Sequence, residues 1–209
     1  MGKTIISSIV INELTSRYSK KPGIGVAYIY CNFRLEDKQK VEDLLLSLLK
    51  QLSEGQQSLP AVVKELHNRH QPKKTRPTCD EIFVSLQAVS RLYSRTFFIV
   101  DALDECRASD SCRKDFLRRL SDLQANHSIH LFATSRFIPD IEKEFQPDTT
   151  LEIRASREDI MSYLINHMQN LSSFNDWNEE LQKEIIARIA EAADGMYVTI
   201  TVREFQSDK

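Results

Sequence analysis

Thr96-Phe97-Phe98-Ile99-Val100-Asp101-Ala102-Leu103-Asp104-Glu105 is the stretch on which the fold turns. Five β-branched or aromatic residues run without a polar interruption and end on an aspartate. Such a run fits a strand buried on both faces, as in a parallel sheet covered by helices, better than a strand with one wet face. In sheets of that kind ligands bind beyond the carboxyl ends of the strands. The Asp101, Asp104 and Glu105 carboxylates therefore stand where chemistry is expected. The competing reading is an acidic turn that caps a helix.

Working outward, further apolar strands alternate with helical segments. Val26–Phe33, Ile129–Thr134 and the short Thr150–Ile153 read as strands. Helices are expected over residues 4–18, with Ile5, Ile6, Ile9, Val10 and Leu14 at helical spacing, and over Leu35–Leu52, where Val41, Leu44, Leu45, Leu48, Leu49 and Leu52 share one face. Others are expected over Leu59–His70, from the Thr78/Glu81 capping box to Tyr93, over Arg113–Leu123, from the Ser156/Asp159 cap to Met168, and over Asn178–Ala193 before Gly195. The alternation implies an α/β, doubly wound, mainly parallel sheet.

Composition bounds the rest. The chain has 209 residues, 41% hydrophobic and 28% charged, which suits one α/β domain with a short appendage. A net charge of -2 supplies no general attraction to DNA or anionic membrane. No run has the length of a membrane span, and the first residues lack the pattern of a signal peptide. Cys31, Cys79, Cys106 and Cys112 show no paired spacing, so a reduced cytoplasmic location is expected.

Two more motifs accompany the acidic strand end. Gly2-Lys3-Thr4 stands directly before the first helix and matches the end of the phosphate-binding pattern G-x-x-x-x-G-K-[ST]. There glycine lets the backbone close on phosphates, lysine reaches them, and the hydroxyl helps hold Mg²⁺. Alone the tripeptide is weak evidence. Leu131-Phe132-Ala133-Thr134-Ser135-Arg136 is a strand ending in polar residues and an arginine whose fixed charge suits a γ-phosphate. Alone, an exposed solvated arginine is the commoner reading. Three such motifs in the right order are far more specific than any one. Weaker candidates are the pairs His67/His70 and His127/His130, Cys106 with Cys112, and the basic loop Lys73–Arg76; each reads better as ordinary surface or thiol chemistry.

Asp101-Ala102-Leu103-Asp104-Glu105 resembles the NACHT form of the Walker B motif, and Ala133-Thr134-Ser135-Arg136 is similar to its sensor 1. Ala27–Phe33 and Phe137-Ile138-Pro139 resemble fungal NLR-like members, NACHT-type STAND P-loop NTPases with a nephrocystin-like N-terminal domain often joined to ankyrin or WD repeats. The resemblance covers about residues 2–196. It implies a signalling switch that binds ATP or GTP with Mg²⁺ and turns over slowly, self-associates and works with effector and repeat domains. By position, Gly2, Lys3 and Thr4 would contact nucleotide, and Thr4 and Asp101 would hold Mg²⁺. Asp104 and Glu105 would support hydrolysis, and Arg136 would sense the γ-phosphate. The implied organisation is a P-loop core over 1–154, its helical continuation over 155–196 and a divergent tail over 197–209.

Met1 falls at the fifth position of the phosphate-loop pattern, so the implied strand order 5-1-4-3-2 lacks its central first strand. That expectation leaves Ile129–Thr134 and Thr150–Ile153 with unpaired edges roughly 9–10 Å apart and a poorly stable chain. A bolder expectation is that Tyr197–Val202, alternating and β-prone, fills the gap. The other function open to the sequence is a truncated interaction fragment unable to hold nucleotide. A small-molecule P-loop kinase is disfavoured by the Asp104-Glu105 pair and the lack of an arginine-rich lid.

Overall fold

The computed structural model describes residues 2–18, 21, 23–106, 112–126, 128–145, 149–154, 156–168, 178–193 and 197–203. Met1, His127 and Gly195, each given a part in the sequence reading, lie outside the described residues. The elements are α1 (Gly2–Tyr18), β1 (Ile24–Tyr30), α2 (Val41–Glu54), α3 (Ala61–His70), α4 (Cys79–Ser90), β2 (Arg95–Asp101), α5 (Cys112–Asn126), β3 (Ile129–Ser135), α6 (Pro139–Glu144), β4 (Thr149–Arg154), α7 (Arg157–Met168), α8 (Glu179–Ala193) and β5 (Tyr197–Arg203). Short 3₁₀ segments occupy Phe33–Lys38 and Leu103–Glu105. By contacts the chain divides into Met1–Leu151 with Thr199–Lys209, and Glu152–Val198.

The protein is α/β. Strand β1 pairs with β2 and β2 with β3, both parallel, and the five-stranded sheet has the order β1-β2-β3-β5-β4. Apolar strand interiors follow from this, because helices cover both faces of the three parallel strands. Phe98 and Val100 of β2 enter the main core with Leu45, Leu48 and Leu52 of α2, Ile82, Leu86 and Val89 of α4, and Phe116, Leu120 and Leu123 of α5. On the other face Tyr18 of α1 stacks on Phe97 at 5.6 Å, and Phe97 stacks on His130 at 5.1 Å. His130 thus belongs to an aromatic stack. Among the described residues no group of three or more His, Cys, Asp or Glu could hold a metal ion, and no helix is long and apolar enough to cross a membrane.

Strand β5 takes the position that the implied strand order assigns to the missing strand. It pairs antiparallel with β3, Leu131 opposite Arg203 through Ser135 opposite Thr199. The expectation of an unpaired β3 edge is therefore corrected, and with it the reason given for poor stability. The backbone groups of β3 that would have been left without partners meet β5.

Other differences are local. The expected single helix from Leu35 breaks: Leu35 has non-helical angles (φ -113°, ψ 20°), and α2 starts only after Lys40, whose backbone receives the Asp43 cap. Its apolar face is as expected, all six named residues being buried. Strand β1 starts two residues earlier and ends three residues sooner than read, since Asn32 already turns the chain. Helix α6 escaped notice because six residues give too little periodicity to detect. On α1 the apolar spacing misleads: Ile5 and Ile9 are 60% and 62% exposed, whereas Ser7 is fully buried. The face of α1 that meets the strand ends is polar.

The capping box at α4 forms as read. Thr78 N–H donates to Glu81 Oε2 at 2.9 Å, and Arg69 Nη1 lies 3.1 Å from Glu81 Oε1. The Thr78 backbone and hydroxyl bonds, then Arg69, pull the Glu81 pKa from its ordinary 4.5 to about 2. A depressed carboxyl stabilises the fold above its unfolded value, and that contribution is lost as pH falls through the folded one. Here the window runs from about pH 4.5 down to about pH 2. In a carboxyl NMR titration Glu81 should titrate near pH 2, and Glu81→Ala should remove this part of the acid-unfolding curve. A Glu81 midpoint near 4.5 would contradict the capping account.

Within Glu152–Val198, α7 packs on α8, with Ile186 and Ala190 buried. Ser156 and Asp159 exchange capping bonds of 2.7 and 3.1 Å at the start of α7.

Candidate functional site

Three elements converge at the carboxyl end of the parallel strands: the first turns of α1, the end of β2 with the turn after it, and the end of β3. Asp101 is the last residue of β2 and is 2% exposed. Its buried carboxylate needs several donors to replace lost water. It finds three hydroxyls. Thr4 Oγ1 donates to Oδ2 at 2.8 Å, while Ser7 Oγ and Thr134 Oγ1 donate to Oδ1 at 2.8 and 2.7 Å. Thr4 and Ser7 are three residues apart on α1, so they present side chains to the same side. Thr134 is fully buried near the end of β3 and also accepts the Ala102 N–H at 3.0 Å.

After Asp101 the chain must reverse sharply. Ala102 does this in a left-handed conformation (φ 53°, ψ 50°), which costs a non-glycine residue roughly 1–2 kcal/mol. The bond from Ala102 N–H to Thr134 helps hold it there. Leu103, fully buried, anchors the following 3₁₀ turn, and the turn lifts Asp104 and Glu105 towards α1.

Lys3 meets those acids. Its Nζ lies 2.7 Å from Asp104 Oδ1 and 3.8 Å from Glu105 Oε1. Arg136, just beyond β3, gives its backbone N–H to Asp104 Oδ1 at 3.0 Å and places Nε 3.2 Å from Oδ2. Its Nη2 lies 3.9 Å from Glu105 Oε1. Asp104 is thus clasped by two cations and is nearly buried, while the Arg136 side chain remains 68% exposed. Gly2 opens α1, a 17-residue helix whose first N–H groups have no partner within the helix.

Every residue singled out by sequence falls in this cluster: Gly2, Lys3 and Thr4 at the start of α1, Asp101, Asp104 and Glu105 at the end of β2, and Arg136 after β3. The weaker histidine and basic-loop candidates do not. His67 and His70 lie on α3, where His70 Nδ1 meets Thr75 Oγ1 at 2.8 Å, and the basic loop is at the surface. Sequence reasoning missed Ser7. Only its spacing from Thr4 could have signalled it, and in the sequence it looks like an interruption of an apolar run. Thr134 was read as part of a motif, without a task.

Three cysteines border the acidic turn. Cys31, at the end of β1, gives its N–H to Asp101 O at 3.0 Å. Its thiol touches that of Cys106, and this contact together with burial pushes its pKa up. Burial first, and then the neighbouring Cys106, raise the Cys112 thiol to about 11. These groups are packed as thiols in the core around the turn.

The centre of the cluster combines a threonine hydroxyl and a carboxylate, both hard oxygen groups, at the head of a helix whose Lys3 ammonium sits on Asp104. Comparison with curated proteins found no match, and comparison with solved structures found none. The family model described as "Nephrocystin 3, N-terminal" matches residues 1–136, which contain all seven of these residues. The chain belongs to the nephrocystin 3 N-terminal family.

Proposed function

We propose that the chain is the nucleotide-binding switch domain of a NACHT-type signalling protein, with Mg²⁺-ATP as its ligand and slow hydrolysis at most. The observation that carries this reading is the 2.8 Å contact between Thr4 Oγ1 and Asp101 Oδ2 at the head of α1, with the Lys3 ammonium held 2.7 Å from Asp104 Oδ1 in the same cluster. Thr4 and Asp101 would hold Mg²⁺, directly or through water, because both offer oxygen and both are already held in place. Gly2 and Lys3 would hold the phosphates.

The bound nucleotide would supply the phosphoryl group; the rest is the work of side chains in this cluster. Lys3 is poised on the first turn of α1 to exchange Asp104 for phosphate oxygens. Asp104 and Glu105, once released by Lys3, would orient a water and accept its proton. Arg136, exposed and ion-paired with Asp104 and Glu105, would follow the terminal phosphate. Ser7 and Thr134 keep Asp101 fixed in the meantime. A cytoplasmic setting and association with further copies or with effector and repeat domains accord with this role.

Lys3→Ala tests the reading. A charged hydrogen bond to phosphate is worth about 1.5–3 kcal/mol, so the variant should bind fluorescent ATP with Mg²⁺ about 10- to 100-fold more weakly. Its helix content by circular dichroism should be unchanged. Equal affinity in the two chains would show that nucleotide, if held at all, is held elsewhere.

A further inference from the structure

Strand β1 lies at the edge of the sheet, and its sequence, Ile24-Gly25-Val26-Ala27-Tyr28-Ile29-Tyr30, has no charge and no proline. It therefore lacks the usual devices that keep an edge from pairing with another strand. A seven-residue, β-prone, uncharged segment of this kind is also a self-association hazard. In a strand the N–H and C=O of one residue point to one edge and those of the next to the other. The Cys31 N–H bonds inward to Asp101 O. Tyr28, Tyr30 and Asn32 accordingly direct their backbone groups outward, and Val26 falls in the same set.

Two side-chain amides meet those outward groups. Gln51 of α2 donates from Nε2 to Tyr28 O at 2.8 Å and accepts the Tyr28 N–H on Oε1 at 3.0 Å. Gln39 donates from Nε2 to Tyr30 O at 3.0 Å and accepts the Asn32 N–H on Oε1 at 2.9 Å. Each carboxamide makes the pair of bonds that the N–H and C=O of one residue of a neighbouring strand would make. A groove of about 1140 Å³ runs beside the same edge, bounded by Tyr18 of α1, Tyr28 and Tyr30 of β1, Gln51 of α2 and Tyr93. There is room there for an extended segment, and the Gln39 and Gln51 side chains stand in the strand position.

We infer that Gln39 and Gln51 are a guard on an open pairing edge, and that the partner they hold off is the β1 edge of a second copy of this chain. Antiparallel pairing of β1 with its own copy is self-complementary about a two-fold axis, because both copies present the same outward groups. With the amides in place, a second copy must displace two bidentate contacts before it can bond to Tyr28, Tyr30 or Asn32. The inference is independent of nucleotide binding.

The test is sedimentation velocity on the full chain over a range of concentrations. Without added nucleotide the unmodified chain should stay single, and the Gln39→Ala/Gln51→Ala double variant should rise with concentration towards twice that mass. Adding Val26→Pro removes one outward N–H at a position where an edge tolerates proline, and the association should disappear. A double variant that stays single, association that survives Val26→Pro, or an unmodified chain that associates equally well would overturn the inference. Should the proline variant fail to fold, hydrogen exchange decides. In the double variant the Tyr28 and Asn32 amides should be unprotected when dilute and protected again when concentrated; amides that stay protected when dilute, or unprotected when concentrated, would overturn it.

Discussion

Replacing Asp101 with alanine is expected to lower the unfolding free energy by about 3–5 kcal/mol, a large part of the margin of an ordinary domain. The change leaves three hydroxyl groups, on Thr4, Ser7 and Thr134, without the acceptor they share. Ser7 and Thr134 are fully buried, so water cannot easily replace it. The same carboxylate ties α1 to the ends of β2 and β3, and its loss should also loosen α1 on the sheet. Asp101→Asn separates the two roles of the residue. The amide keeps the shape and one acceptor oxygen, and hydroxyls can turn to accept as well as donate. It should therefore cost much less stability than alanine while abolishing Mg²⁺-dependent nucleotide binding. Urea unfolding of both variants checks this; an alanine variant within about 1 kcal/mol of the parent would show that the hydroxyl cluster does not hold α1.

The second large effect concerns β5. A proline at Thr201, which stands opposite Ala133 in the β3–β5 ladder, should unfold the sheet on that side. Proline removes a donor and is tolerated only at edges or bulges, whereas β5 lies between β3 and β4. Each buried backbone group left unpaired costs about 1–3 kcal/mol, so losing even two or three of the five register pairs approaches the whole stability of a domain. The expected result is a much lower melting temperature and rapid hydrogen exchange along β3, with β1 and β2 affected less. Unchanged exchange in β3 would mean that β5 is dispensable to the sheet.

How much of this was legible in the sequence differs from element to element. Strand β2 was plain because burial on both faces demands an uninterrupted apolar run, and Thr96–Val100 is one. The leucine face of α2 was equally plain, since helical periodicity and core position coincide there. On α1 they do not coincide. Ile5 and Ile9 supplied the period, but what ties the first turns of the helix to the strand ends is the set of hydrogen bonds and ion pairs made by Lys3, Thr4 and Ser7, and polar contacts leave no periodic mark. The site residues could be named because each sits at a strand end or a helix start. Their mutual arrangement, with Asp104 between Lys3 and Arg136, depends on the left-handed turn at Ala102, and alanine there gives no hint of it. The edge guard was invisible for a related reason: Gln39 and Gln51 are unremarkable surface residues until the backbone they serve is in view.

The central claim is that Thr4, Asp101 and Lys3 together make a metal–phosphate site. Isothermal titration of the unmodified chain with ATP, once with excess Mg²⁺ and once with the metal chelated, tests it most directly. Saturable binding is expected with Mg²⁺ and should be lost, or weakened at least about tenfold, when the metal is removed, because Gly2, Lys3 and Arg136 must then hold the phosphates beside three carboxylates. No binding in either condition, or binding indifferent to Mg²⁺, would contradict it.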